Sequence, residues 1–191
     1  MGDKAALRSQ MRRIRKALAA SSGEQAAQAL ARRLSDLPVI GWSEVVVGGY
    51  HAAGSEIDPS PLMHAMAALG AQITLPVVTE REAPLAFRRF RPGEPLEPDL
   101  MGLLCPRATA PELRPLLVLV PLLAFDDHGG RLGQGGGYYD RTLQALRSSG
   151  PVLALGLAYG AQHVSRVPMD PFDQALDGVL TEEGYRAAFR C

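Results

Sequence analysis

Two short runs, 116–120 (Leu-Leu-Val-Leu-Val) and 152–155 (Val-Leu-Ala-Leu), are apolar at every position. A strand with one wet face alternates apolar and polar residues; a strand covered on both faces does not. These runs therefore predict central strands of a sheet buried between two layers. Between them lie a glycine-rich stretch and a helical pattern over 138–146, the order of a strand, a loop, a helix and a second strand. Further strand-like runs at 45–50, 72–77, 85–90 and 178–180 alternate with a helical run at 61–69. That rhythm predicts an α/β fold with an open sheet. At 191 residues the chain is long enough for one sizeable core and short for two domains, so one domain over 1–191 is expected.

The N-terminal part reads as helical. Leu7, Met11, Ile14 and Leu18 recur at helical spacing. Ser22 followed by Gln25 has the spacing of a capping box, and Pro38 stops the next periodic run. The expectation is a helical hairpin, with helices over about 3–20 and 26–37. Projected onto the first helix, Lys4, Arg8 and Arg15 share one border of the apolar stripe. There they form a basic ridge reaching outward. The segment 91–115 is rich in proline, without clear periodicity, and reads as an irregular excursion.

Charge and cysteine content exclude several classes. Lys plus Arg and Asp plus Glu are both 20, so general attraction to nucleic acid or an anionic membrane is not expected. Cys105 and Cys191 are too few for a disulfide framework or a four-cysteine zinc site. The four histidines are not paired closely enough in sequence to suggest a metal cluster. The N-terminus lacks the apolar stretch of a signal peptide, and the longest apolar run, 116–125, is too short for a bilayer. A cytoplasmic protein is expected.

The chemistry concentrates after the first central strand, in Asp126 and in Arg131, Leu132, Gly133, Gln134, Gly135, Gly136, Gly137, Tyr138, Tyr139, Asp140 and Arg141. This stretch begins where open α/β sheets bind ligands, at the carboxyl end of a strand. Glycines permit positive φ and let N–H groups converge on an anion, and the following helix adds its own unpaired donors. Arg131 and Arg141 add positive charge, and Asp126 and Asp140 are carboxylates of the kind that hold magnesium among phosphates. A P-loop needs Gly-Lys-Ser/Thr at its end, and a dinucleotide fingerprint needs glycine where Tyr138 stands. Neither fits, and the residues suggest an ATP site of another kind.

The run 131–141 closely resembles the signature of the 5-formyltetrahydrofolate cyclo-ligase (methenyltetrahydrofolate synthetase) family. Support comes from Lys4 to Arg8 at the N-terminus and Gly54-Ser-Glu56-Ile-Asp58 before a helix. Leu75-Pro76, Gly156 to Tyr159 with Gln162, Val167-Pro168, Asp173, Leu176-Asp177 and Thr181-Glu182 follow in order. The resemblance implies a three-layer α/β/α sandwich with a Rossmann-like open sheet, with ATP and Mg2+ as cofactors and 5-formyltetrahydrofolate as substrate. A monomer is expected, and the balanced charge and short apolar runs speak against a nucleic-acid or membrane partner. Lys4, Arg8 and the stretch Arg131 to Tyr139 are then the nucleotide contacts. Arg131, Tyr138 and Asp140 carry catalysis; Glu56, Asp58 and Tyr138 meet the folate; Asp140 and Asp177 hold the metal. Simpler roles compete: Lys4 and Arg8 as a solvated helix flank, Glu56 and Asp58 as caps of the next helix, Asp177 as a strand end. The chain departs from the usual family pattern at Leu122, Cys105 and Phe172. The alternative reading is a regulatory protein of the same fold that binds nucleotide or folate without turnover, and a third is an RNA-associated paralogue.

Overall fold

The computed structural model describes residues 2–189. Its main sheet has the order β11-β10-β9-β6-β1-β2-β3. The five inner strands, β1 (Val46–Gly48), β2 (Gln72–Val77), β6 (Leu117–Pro121), β9 (Leu153–Leu157) and β10 (Gly178–Thr181), are parallel. Two antiparallel strands close the edges, β3 (Ala86–Arg89) on β2 and β11 (Gly184–Ala187) on β10. The two runs that are apolar throughout, now β6 and β9, lie side by side with Leu119 opposite Leu155.

Successive side chains of β6 serve opposite layers. Leu117 and Leu119 join Leu30, Leu62 and Met66 of helices α1 (Gly2–Arg32) and α2 (Ser60–Ala68) on one face. Val118 and Val120 join Leu143 of α3 (Tyr138–Ser148) on the other. All four strand residues are at most 2% exposed, and each fully buried aliphatic side chain contributes roughly 1.5 to 3 kcal/mol before chain entropy is counted. The result is the expected α/β/α sandwich.

The N-terminal region corrects the expected hairpin. α1 is one helix of 31 residues, about 46 Å long at 1.5 Å per residue. Ser22 does not cap a second helix; its hydroxyl bonds back to the Leu18 carbonyl (3.1 Å), as Ser21 does at 3.3 Å, a local bond that a continuing helix tolerates. The first half of α1 packs Leu7, Met11 and Ile14 on Leu123, Ala124 and Leu132, and the second half packs Ala26 and Leu30 on the sheet. Two separate apolar beds under one rod produced a sequence pattern that resembles two helices. A 3-10 turn at Leu34–Asp36 ends the element before Pro38.

Two smaller ribbons also went unread. Within 91–115, β4 (Leu96–Pro98) pairs antiparallel with β5 (Leu104–Pro106). After β6, a hairpin of β7 (Ala124–Phe125) and β8 (Arg131–Leu132) opens the glycine-rich stretch. Strands of two or three residues are too short for a periodicity to register. Cys105 is buried, as a free thiol; Cys191 lies outside the described residues. Among the described residues no helix is long and apolar enough to cross a membrane.

Candidate active site

The chain runs from β1 to β2 on one side and to β6 on the other, so the sheet's switch point lies between β1 and β6. A cleft of about 500 Å³ opens beside it, where ligands of open α/β sheets bind. Its lining comes from the ends of β2 and β6 (Val78, Pro121, Leu122), the loop after β1 (Glu56), the glycine-rich loop, and α1.

The loop is set up by the β7–β8 hairpin. Asp126, 3% exposed, spends its carboxylate inside the fold. Oδ1 accepts the N–H groups of His128 (2.9 Å) and Gly130 (2.8 Å), and Oδ2 accepts that of Val167 (2.8 Å). Asp126 is thus not the metal carboxylate expected from sequence; it is the fastener of the turn. Beyond Leu132 the backbone crosses positive φ at Gly135 (109°) and at Gly137 (67°), and α3 begins at the next residue.

Two guanidinium groups hold the loop by its carbonyls. Arg8 Nε donates to the Gly133 carbonyl (3.0 Å) and Arg141 Nη2 to that of Gly136 (2.8 Å). With those oxygens drawn aside, the N–H groups of Gln134, Gly135, Gly136 and Gly137 have no protein acceptor among the described residues. They stand beside the unpaired donors of α3's first turn, a setting that attracts an anion. A side chain at Gly137 would collide with Arg141, whose Nη1 lies 2.7 Å from the position of a Cβ, so this glycine also makes room for the clamp. Arg141 further lies over the Tyr138 ring at 5.1 Å.

Arg131 is 7% exposed and pairs with Asp140 (Nη2 to Oδ1, 2.5 Å), yet its buried Nε has no partner among the described residues. Unpaired buried donors are rare and mark sites that await an acceptor. Asp140 Oδ1 also accepts the Gln174 N–H (3.0 Å). Lys4 is clasped by Asp170 (2.5 Å) and Asp173 (2.6 Å). Burial alone would raise the Asp173 carboxyl, but the Asp170 N–H and the Lys4 ammonium outweigh it and hold it below the ordinary aspartate value.

The inner wall is different in kind. Arg15 is 4% exposed, not on an outward ridge as its helical projection implied. It donates from Nη1 to the Leu122 carbonyl (3.0 Å) and from Nε to Ser55 Oγ (3.1 Å), and its Nη1 lies 3.7 Å from Glu56 Oε1. Burial raises the Glu56 carboxyl above the usual range, against the Ala53 N–H and Arg15, which lower it. Tyr139, nearby, is likewise raised, by burial and then by Glu56. Val78, Leu85, Met101, Leu103 and Leu122 supply an apolar side.

Lys4, Arg8, Glu56 and every residue from Arg131 to Asp140 therefore line one cleft. Asp58 and Asp177 do not. Asp58 Oδ1 accepts the Ser60 N–H (2.9 Å) at the start of α2, the capping role, and it borders a neighbouring hollow of about 430 Å³. Asp177 Oδ2 accepts the Ala154 N–H (2.7 Å) and pairs with Arg147 (3.1 Å), joining β10 to β9 and α3. The aspartates that do line the cleft with Asp140 are Asp170 and Asp173, with Glu56 on the inner wall. Among the described residues no three His, Cys, Asp or Glu side chains are gathered as a metal cage. The sequence puts Arg15 on the basic ridge with Lys4 and Arg8 but not in the site, although its place four residues after Met11 on the buried stripe was the available signal; Arg12, whose Nε reaches Gln134 Oε1 (3.0 Å), was not singled out.

Fold and site together define an open-sheet α/β protein with an anion-binding, glycine-lined cleft at its switch point. A sequence profile of the 5-formyltetrahydrofolate cyclo-ligase family matches residues 1–182, and the chain belongs to that family. It is 32% identical over 201 aligned residues to the 5-formyltetrahydrofolate cyclo-ligase of Mycolicibacterium smegmatis, covering 98% of this chain and 97% of that one. The Haemophilus influenzae cyclo-ligase is 30% identical over 179 residues, covering 91% and 95%. Among solved structures, the Aquifex aeolicus 5,10-methenyltetrahydrofolate synthetase superposes with a TM-score of 0.78 at 27% identity, covering 98% of this chain and 94% of that chain.

Proposed function

We propose that this chain, acting as a single domain, catalyses the ATP-dependent conversion of 5-formyltetrahydrofolate to 5,10-methenyltetrahydrofolate with release of ADP and phosphate. The single observation that carries the reading is the anion site of the loop: acceptor-free N–H groups from Gln134 to Gly137 beside the partnerless Nε of Arg131. Family membership supplies the reaction.

A formamide oxygen is a poor leaving group, so it is activated first. The γ-phosphoryl group passes to the formyl oxygen, N10 attacks the formyl carbon and gives up its proton, and phosphate departs with that oxygen. The protein's part is to place the reacting atoms and to neutralise moving charge. The loop amides and the start of α3 hold phosphate oxygens, and Arg131 faces the group in transfer. Arg8 braces the loop through Gly133, and Lys4 leaves its carboxylate clasp for a phosphate oxygen. Tyr138 and Glu56 meet the folate, whose pterin edge presents N–H donors to a carboxylate. Asp58 is better read as a helix cap.

Mg2+ fits this donor set, because it takes one or two carboxylates plus phosphate oxygens and water instead of an all-protein cage. Asp140 and Asp173 would hold it, in place of Asp140 and Asp177, and when bound it would neutralise charge on the phosphates. A monomer in the cytoplasm is the simplest setting for this chemistry.

The test is turnover. Folded protein with ATP, magnesium and 5-formyltetrahydrofolate is expected to develop the near-ultraviolet absorbance of the methenyl product with matching ADP. Absence of both signals from folded protein would overturn the reading in favour of a binding protein without turnover.

A further inference from the structure

We propose that Arg15 is a positioning residue: its buried guanidinium holds Glu56 as an ionised, oriented hydrogen-bond acceptor on the inner wall of the cleft. The idea deepens the folate reading above and rests on it for the identity of the donor, the N–H edge of a reduced pterin.

Three features of the geometry support it. Arg15 is fixed through two of its nitrogens, Nη1 by the Leu122 carbonyl at the end of β6 and Nε by the Ser55 hydroxyl next to Glu56. It therefore registers α1 against both the sheet and the loop that carries Glu56. Leu122 in turn shares its carbonyl with Gln162 Nε2 (3.0 Å), so the anchor is itself held. The two oxygens of Glu56 also differ in occupation. Oε2 accepts the Ala53 N–H (3.0 Å), whereas Oε1 faces Arg15 Nη1 at 3.7 Å, too far for a hydrogen bond. Arg15 thus neutralises the carboxylate without consuming Oε1, which keeps its lone pairs for a donor in the cleft. A buried carboxylate without a cation would instead tend to keep its proton and become a poor acceptor.

The surroundings offer no substitute for Arg15. From the loop after β1, Tyr50 and Asp58 act on this site; from α3 comes Tyr139; after β9 stands Tyr159, with Glu182 behind it. From α1, Glu24 borders the adjoining hollow and Arg12 acts on Arg15. Lys4, Arg8 and Arg131 line the same cleft, where they clasp Asp170 and Asp173, brace Gly133 and pair with Asp140. Arg15 is the cation paired directly with Glu56 among the described residues. Because burial raises the Glu56 carboxyl and Arg15 opposes this, removing Arg15 moves its titration to higher pH.

The experiment has two arms. In ligand-free protein, carboxyl-carbon NMR follows Glu56 through a pH titration; Arg15→Gln is expected to raise its midpoint by at least about one pH unit, and Arg15→Lys by less. In turnover, Arg15→Gln is expected to raise the KM for 5-formyltetrahydrofolate about tenfold with the KM for ATP within about twofold, and to shift the acid limb of the folate kcat/KM upward. Arg15→Lys recovers most of the loss and also serves if Arg15→Gln fails to fold. Adding Arg15→Gln to Glu56→Gln is expected to cost under about twofold more, since a positioning residue has nothing left to position. An unmoved Glu56 midpoint, or an undiminished Arg15 effect in the Glu56→Gln background, would overturn the proposal. Wild-type protein whose Glu56 titrates as expected but which neither binds nor converts the folate would overturn the folate reading alone.

Discussion

The glycine loop offers its substrate the backbone N–H groups of the exposed residues Gln134, Gly135 and Gly136, whereas the opposite wall offers Arg15 and Glu56, whose side chains are largely withdrawn from water. The first wall is local. Its geometry is written into a few consecutive residues and held by the two arginines that take its carbonyls. The second wall is assembled from three distant segments, α1, the loop after β1 and the end of β6, and depends on their packing. Solvated donors cost little to keep and bind any anion of the right shape; a buried ion pair is costly to form and strongly destabilising to break on one side. Substitutions in the loop should therefore hurt function more than stability, and those in the packed supports the reverse.

The largest effect expected on binding tests the loop itself. Gly135→Val forces a β-branched residue to φ 109°, a strain of about 1 to 3 kcal/mol, and displaces donors worth about 1.5 to 3 kcal/mol each when they meet a charged group. ATP affinity should fall by about 100-fold in a calorimetric titration, while the protein still folds and its unfolding temperature drops by only about 3 to 10 °C from the local strain. Unchanged affinity would show that these glycines only turn the chain.

Asp126 tests the opposite case within the same stretch. Asp126→Asn leaves one of its three N–H partners facing an amide nitrogen, so denaturant unfolding should show a loss of roughly 2 kcal/mol. The ATP affinity of the folded fraction should stay within a few-fold. A metal-dependent loss of ATP binding without a loss of stability would restore Asp126 to the metal site.

On α1, Lys4→Ala and Arg8→Ala should each lower kcat/KM for ATP about tenfold, while Arg13, exposed and on the far side of the helix pattern, should tolerate alanine. Arg12 holds Gln134, so its alanine variant should fall in between. Equal effects at Arg8 and Arg13 would detach the helix from the ATP site.

The smallest effect concerns the Lys4 clasp in the acid range. Asp173 is held below the ordinary value near 3.8, so its contribution to stability is present above that pH and is lost as pH falls through its lower folded-state value. Lys4→Met should weaken this acid-side dependence in thermal unfolding curves between pH 5 and pH 2. An unaltered dependence would mean that the Asp170 N–H and Arg131 set the shift without Lys4.

The same division explains what could be read in advance. The sandwich was legible because β6 and β9 are apolar on both faces, and the anion loop because its glycines and Arg131 are neighbours in sequence. The single long α1 was not, since Ser21 and Ser22 can cap or back-bond and only the two apolar beds beneath decide which. Asp126, Asp140 and Asp177 look alike as letters. Which one faces the cleft depends on where packing places it: Asp126 spends both oxygens on three backbone N–H groups inside the fold, Asp177 joins β10 to β9 and Arg147, and Asp140 alone of the three lines the cleft beside Arg131. Arg15 lay hidden for a related reason: its partners Ser55 and Leu122 are far away in sequence.

The central claim is that the cleft brings the γ-phosphoryl group of ATP onto the formyl oxygen. It is tested most directly with 5-formyltetrahydrofolate labelled with 18O in the formyl group, turned over with ATP and magnesium, and mass analysis of the released phosphate. The account predicts one 18O atom in each phosphate formed with the methenyl product. Methenyl product accompanied by unlabelled phosphate would contradict it.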